Sequence, residues 1–222
     1  MTSLETPSNF SNKLKILHVI SHFELGGAEK CTFELSHLFN SRVDMGIAAV
    51  LGDDSSDVGK NLTNTAREDG VSIFNGVSLP WKFGGFLTTA FQLRRTIKRF
   101  QPDIIHLNTE LPEFAYVLCI LISPSLKHIP VVRTIHNTLL WSRWERLGAW
   151  CERKLGDTSV IYVSEAVRKC FLTWRQGCNL QPVTSDLTIY NPITVPLYRE
   201  QLVDTHAQHK EIQHIRCNIQ GA

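Results

Sequence analysis

Short β-branched runs alternate with longer segments of helical spacing along most of this chain, and that alternation restricts its fold more than any other feature. Residues 15–20 (KILHVI) read as a buried strand, and 29–39 follow with Cys31, Leu35, Leu38 and Phe39 at helical intervals. The same reading predicts strands over 46–51, 71–74, 103–107, 131–135, 160–163 and 187–190. Between them it predicts helices over 58–68, 86–100, 112–122, 141–155 and 165–174. Phe86, Ala90, Leu93, Ile97 and Phe100 form one apolar stripe, which Gln101-Pro102 ends. Strand–helix alternation at this spacing implies an α/β protein with a parallel sheet. Near-continuous apolar strands such as KILHVI and DIIHL imply a sheet covered on both sides.

The expected fold is therefore Rossmann-like and doubly wound, a mostly parallel sheet of about seven strands with helices on both faces. It should occupy 14–196, after a polar tail at 1–13 and before a polar segment at 197–222 that reads as a linker towards an absent second domain. At 43% hydrophobic and 20% charged, the composition suffices for a core. A net charge of +2 does not point to nucleic acid. The six cysteines form no Cys-x-x-Cys pair and read as reduced thiols, with Cys31 and Cys119 inside apolar stretches. The first thirteen residues lack an apolar signal core. The apolar run at 114–122 falls well short of the roughly 20 residues that span a bilayer. The expectation is a cytoplasmic protein, free or peripheral at the inner membrane face. There the sequons at Asn9 and Asn61 carry no meaning.

Ligands of such sheets bind beyond the carboxyl ends of the strands. The first strand runs into Ser21-His22-Phe23-Glu24-Leu25-Gly26-Gly27-Ala28-Glu29. Two glycines before a helix let a ligand approach the backbone and leave the first N–H groups free for an anion. Equally, they can serve only a tight turn, with Glu29 complementing the helix dipole. The loop lacks Gly-x-Gly-x-x-Gly, which counts against a dinucleotide-binding dehydrogenase. Asp53 and Asp54 stand where a ribose-binding acid would, and suit a solvated turn as well.

Five segments in register resemble glycosyltransferase family 4. They are the opening KILHVISHFELGGAEKCTFELSHLF, then QPDIIHLN (101–108), VVRTIH (131–136), VSEAVRKCF (163–171) and Tyr190-Asn191-Pro192-Ile193. In the last, Pro192 replaces the family's usual glycine. The resemblance implies a GT-B enzyme that moves a sugar from a nucleotide-sugar donor to a hydroxyl with retention, using no cofactor and no bound metal. It places Gly26 and Gly27 against the donor diphosphate, and Glu29, Asn108 and Glu110 in the acceptor pocket. His136 falls near the reacting centre, with Ser164, Glu165 and Asn191 bordering the cleft. His136 followed by Asn137-Thr138 also fits a turn and helix cap, and Ser164 fits a helix N-cap. His18 and His106, within strands, read as core or hydrogen-bonded structural histidines.

The family's second domain carries a Glu-x7-Glu motif and a basic pair, and nothing after Asn191 matches either. The chain is therefore expected to be weakly active or inactive alone. A truncated or partner-dependent binding module, with the second domain supplied by a separate chain, is the alternative. Finally, a helix over 141–155 would gather Trp141, Trp144, Leu147, Cys151 and Leu155 on one side. Trp150 would then lie opposite, amid Arg143, Arg146, Arg153 and Lys154, a pattern suited to contact with anionic lipid and a lipid-linked acceptor. The competing reading packs Trp150 under a loop and pairs the arginines with Glu145 and Glu152.

Overall fold

The computed structural model describes residues 13–24, 26–39, 41–52, 56–77, 84–142, 144–156 and 158–191. Asp53, Asp54, Arg143, most of the N-terminal tail and everything after Asn191 lie outside the described residues. Seven strands form one sheet: β1 (Leu14–Ile20), β2 (Val43–Ala49), β3 (Ser72–Phe74), β4 (Ile104–Asn108), β5 (Val131–Ile135), β6 (Ser159–Tyr162) and β7 (Asp186–Thr188). Their order is β3-β2-β1-β4-β5-β6-β7, and every pairing is parallel. The helices are α1 (Gly27–Phe39), α2 (Asp57–Glu68), α3 (Gly85–Phe100), α4 (Glu110–Ile122), α5 (Glu145–Leu155) and α6 (Glu165–Gly177). A 3-10 turn at Pro124–His128 leads into β5.

The order reverses direction after β3, so right-handed crossovers send α1 and α2 to one face and α3 to α6 to the other. The apolar clusters follow this division. Leu17, Val19, Ile105 and Leu107 point towards α3, α4 and α5, where Leu93, Ile97, Val117 and Cys151 complete the larger core. On the opposite face Ile20 and Ile47 meet Phe33 of α1 and Ala66 of α2. A third cluster joins Ile135, Val160 and Tyr162 to Val167 and Phe171 of α6. The five cysteines among the described residues are free thiols.

Two helices differ from the sequence expectation. Helix α1 buries Ala28, Glu29, Thr32, Phe33 and Ser36, while Leu38 and Phe39 are exposed. Ala28, Thr32, Phe33 and Ser36 take the inner face, which leaves Cys31 and Leu35 half-buried at its margin and Leu38 exposed. Helix α5 starts at Glu145, not at 141. Trp141 has φ +48° and sits before the helix, with its indole laid on Gly148, where a Cβ would overlap the ring. Trp150 does not face solvent opposite the core. It is half-buried, its ring centroid 6.5 Å from that of Phe114, because α4 flanks α5 on that side.

Beneath α4, α5 and α6 lies a buried charge quartet. Arg133 of β5 donates to Glu113 of α4 at 3.2 Å and to both carboxylate oxygens of Glu152 of α5. Arg175 of α6 donates to the same Glu152 and, at 2.6 Å, to the Gln181 carbonyl. All four side chains are at most 8% exposed. Burial pushes the Glu113 carboxyl up to about 8, with the Arg133 guanidinium pulling the other way.

Candidate functional site

Parallel pairing brings the carboxyl ends of β1, β4, β5 and β6 side by side, about 4.8 Å from strand to strand. The ends of β1 and β4 are tied by Ser21 Oγ and Thr109 Oγ1, 3.0 Å apart. In the loop after β1 the two glycines have separate roles. A Cβ on Gly26 would overlap the carboxylate of Glu29, which is only 7% exposed. Gly26 therefore makes room for Glu29, and its carbonyl accepts the Lys30 N–H at 2.9 Å to start α1. Gly27 is exposed, and a Cβ there would meet no atom within 4 Å. The open approach to the positive end of α1 lies at Gly27.

At the end of β4, Asn108 is 3% exposed and its Nδ2 has no partner among the described residues. Thr109 follows with φ +78° and ψ 173°, a strained geometry for a β-branched residue, costing about 1–3 kcal/mol. That strain turns the chain sharply into α4 and sets Glu110 at the helix start. Glu110 accepts the Trp141 N–H at 2.9 Å, which anchors the loop before α5.

His136 follows β5 and places Nε2 3.5 Å from Asn108 Oδ1. With the amide oxygen as acceptor, Nε2 is the protonated nitrogen and Nδ1 is left as an acceptor. Burial lowers the imidazole pKa to about 4, so His136 is neutral at physiological pH. A cavity of about 10 Å3 lies among His136, Asn137, Thr109, Glu110, Glu113 and Trp141. That is near the lower limit for one water.

The structure thus brings His136 and Glu110 to one cavity and Asn108 within 3.5 Å of His136, with Gly26, Gly27 and Glu29 at the neighbouring strand end. Ser164 is used as an N-cap, accepting the Val167 N–H at 3.2 Å. Glu165 is exposed beside Arg168, and Asn191 is exposed at the end of the described residues. Behind the site, His106 Nδ1 lies 3.1 Å from His18 Nδ1, and His106 Nε2 lies 2.7 Å from Thr134 Oγ1. Both histidines are held neutral by burial, as structural histidines in strands. Among the described residues no group of three His, Cys, Asp or Glu side chains could hold a metal.

Sequence reading missed Thr109 and Trp141 and the quartet. Arg133 in VVRTI and Glu113 in ELPEFAYVLCILI were visible as lone charges in apolar patterns, but their partners were not. Of the residues expected to contact lipid, Arg146, Arg153 and Lys154 are exposed. Glu152 pairs with Arg133 and Arg175, not with the surface arginines.

A family model described as Glycosyltransferase Family 4 matches residues 25–183. No curated protein matches the chain. Among solved structures, the chain resembles Anabaena HepE in complex with UDP-glucose, with TM-score 0.60 and 15% identity over 88% of this chain and 50% of that one. A glycosyltransferase from Rickettsia africae gives TM-score 0.56 and 16% identity over 88% and 50%. The lipopolysaccharide outer core galactosyltransferase WaaB, in its apo form, gives 0.60 and 13% over 83% and 47%. These likenesses show a shared fold, and the chain spans about half the length of each of those structures.

Proposed function

Because the chain belongs to glycosyltransferase family 4, we propose that it is the acceptor-side domain of an enzyme that moves a sugar from a nucleotide-sugar donor to a hydroxyl, with retention and without a bound metal. The observation that carries this reading is the neutral His136 held beside Asn108 at the strand ends, one strand from the open helix N-terminus at Gly27. The acceptor hydroxyl donates to His136 Nδ1 and is oriented without a charged base. The Asn108 Nδ2, otherwise unpaired, donates to a substrate oxygen. The donor diphosphate approaches the first N–H groups of α1 past Gly27. The UDP-glucose in the Anabaena structure supports a nucleotide-sugar donor.

Gly26, Gly27, Glu29, Asn108, Glu110 and His136 bear no fixed positive charge. Charge on the departing diphosphate therefore falls to cations of a donor-binding second domain, in this or another chain. The test is transfer by the 222-residue chain combined with such a domain, over a panel of nucleotide sugars. His136→Ala should lower the rate by at least about 100-fold with the fold intact. A variant that transfers normally would remove the reading. Robust transfer by the chain alone would overturn the need for a second domain. Donor binding without transfer in every combination would favour a binding module.

A further inference from the structure

Helix α3 turns Ala90, Leu93, Ile97 and Phe100 into the core, yet its outer face is not simply polar. Leu87, Phe91, Arg95 and Lys98 follow at spacings of four, four and three and form one outward stripe. Leu87 is 48% exposed and Phe91 is 55% exposed. Next to them an apolar groove of about 540 Å3 is lined by Phe86, Leu111, Phe114, Trp144 and Leu147, and Trp144 is 67% exposed. Glu110 lines both this groove and the cavity at His136.

The surrounding charge is mostly positive. Arg94, Arg95, Lys98 and Arg99 of α3, and Arg146 in the first turn of α5, form no ion pair with a described residue. Helix α3 holds no acid, Glu113 and Glu152 are buried in the quartet, and Glu145 is the one fully exposed carboxylate on these three helices. The helix dipole accounts for cations in the last turn of α3, but not for Leu87 and Phe91 turned to water in its first two. Two copies of so cationic a face would repel each other. An anionic bilayer satisfies both halves of the pattern, because aromatic and aliphatic side chains settle among headgroups while cations meet lipid phosphates.

We propose that the face formed by α3 and the starts of α4 and α5 docks on an anionic lipid bilayer, with Leu87, Phe91 and Trp144 at headgroup depth. Resting on the function proposed above, the groove then takes the apolar chain of a lipid-linked acceptor and leads its hydroxyl past Glu110 to His136. This replaces Trp150, which is packed on Phe114, as the anchor.

The experiment is co-sedimentation of the full chain with vesicles of phosphatidylcholine alone and of phosphatidylcholine mixed equally with phosphatidylglycerol. Binding is expected on the anionic vesicles only, and should fall as salt rises. Arg95→Gln with Lys98→Gln should weaken it about tenfold or more. Leu87→Ser with Phe91→Ser should weaken it about tenfold while leaving Tm unchanged, since both side chains face water. Binding that ignores lipid charge or salt, binding as tight as wild type by either double variant, or formation of a protein dimer that the same substitutions break would overturn the proposal. Vesicle binding requires no sugar transfer, so its failure leaves the catalytic reading standing. Failure of transfer likewise leaves the docking surface standing.

Discussion

The quartet around Arg133 and the cluster around His136 are both polar, both anchored on β5, and built in opposite ways. In the quartet each carboxylate faces a guanidinium, and Phe171 lies 5.8 Å from Arg133 and 5.6 Å from Arg175 in cation–π geometry. The Nε atoms of both arginines are left over. At the strand ends the pairing is loose. The His136–Asn108 contact is 3.5 Å long, Asn108 Nδ2 is unpaired, and Thr109 is strained. Charges that satisfy one another tie β5, α4, α5 and α6 into one unit. Polar groups left with spare capacity sit where a ligand can use it. Removing a quartet member should therefore damage stability, and removing a strand-end member should damage function.

The largest expected effect is Arg133→Met, which leaves Glu113 without its guanidinium and Glu152 with Arg175 alone, and should cost about 3–5 kcal/mol in urea unfolding. A loss below about 1 kcal/mol, the range of exposed pairs, would show that the quartet is not what joins the helices to β5. Acid should act next, through the buried histidines. His18 has its pKa lowered from 6.5 to about 4 by burial, so the unfolded chain takes up the proton more readily. Its contribution is complete above pH 6.5 and is lost as pH falls towards about 4, amounting to about 3 kcal/mol. Glu113, raised to about 8, works against this above pH 4.5. The test is therefore the difference between wild type and His18→Leu across that window, where the variant should show the shallower acid limb.

The glycines sharpen the comparison within a single loop. Gly26→Ala pushes the Glu29 carboxylate, the far end of a flexible side chain, out of its place and should cost below about 1 kcal/mol. Gly27→Ala meets open space and should hold or raise stability by up to about 1 kcal/mol. In a complete enzyme Gly27→Val should nevertheless abolish transfer, and normal transfer would mean that this glycine serves only the turn. Comparably small is Glu110→Gln, which keeps an oxygen for the Trp141 N–H and should cost about 0.5–1 kcal/mol. A larger loss measured by thermal unfolding would place Glu110 with the quartet instead of with the site.

Every strand and helix was legible in the sequence to within a few residues, because hydrophobic periodicity is local and the backbone obeys it. Val131–Ile135 matches its predicted bounds, and β1 and α3 differ by one residue at the start. The strand-end positions of Gly26, Asn108, His136 and Ser164 followed from the same alternation. Partner choice did not. That Glu152 lies inward, Leu38 and Trp144 outward, and Trp150 against Phe114 depends on which helices flank which strands, and hence on the reversal after β3. The late start of α5 depends on Glu110, 31 residues before the Trp141 N–H it binds, and on Gly148 lying under the indole. Whether His136 is charged was likewise beyond the sequence, because a histidine's pKa is set by how much protein surrounds it in space. The sequence by itself determined the elements and the edge of the sheet that holds the site. The tertiary structure decided which side chains meet, because those contacts join residues far apart along the chain.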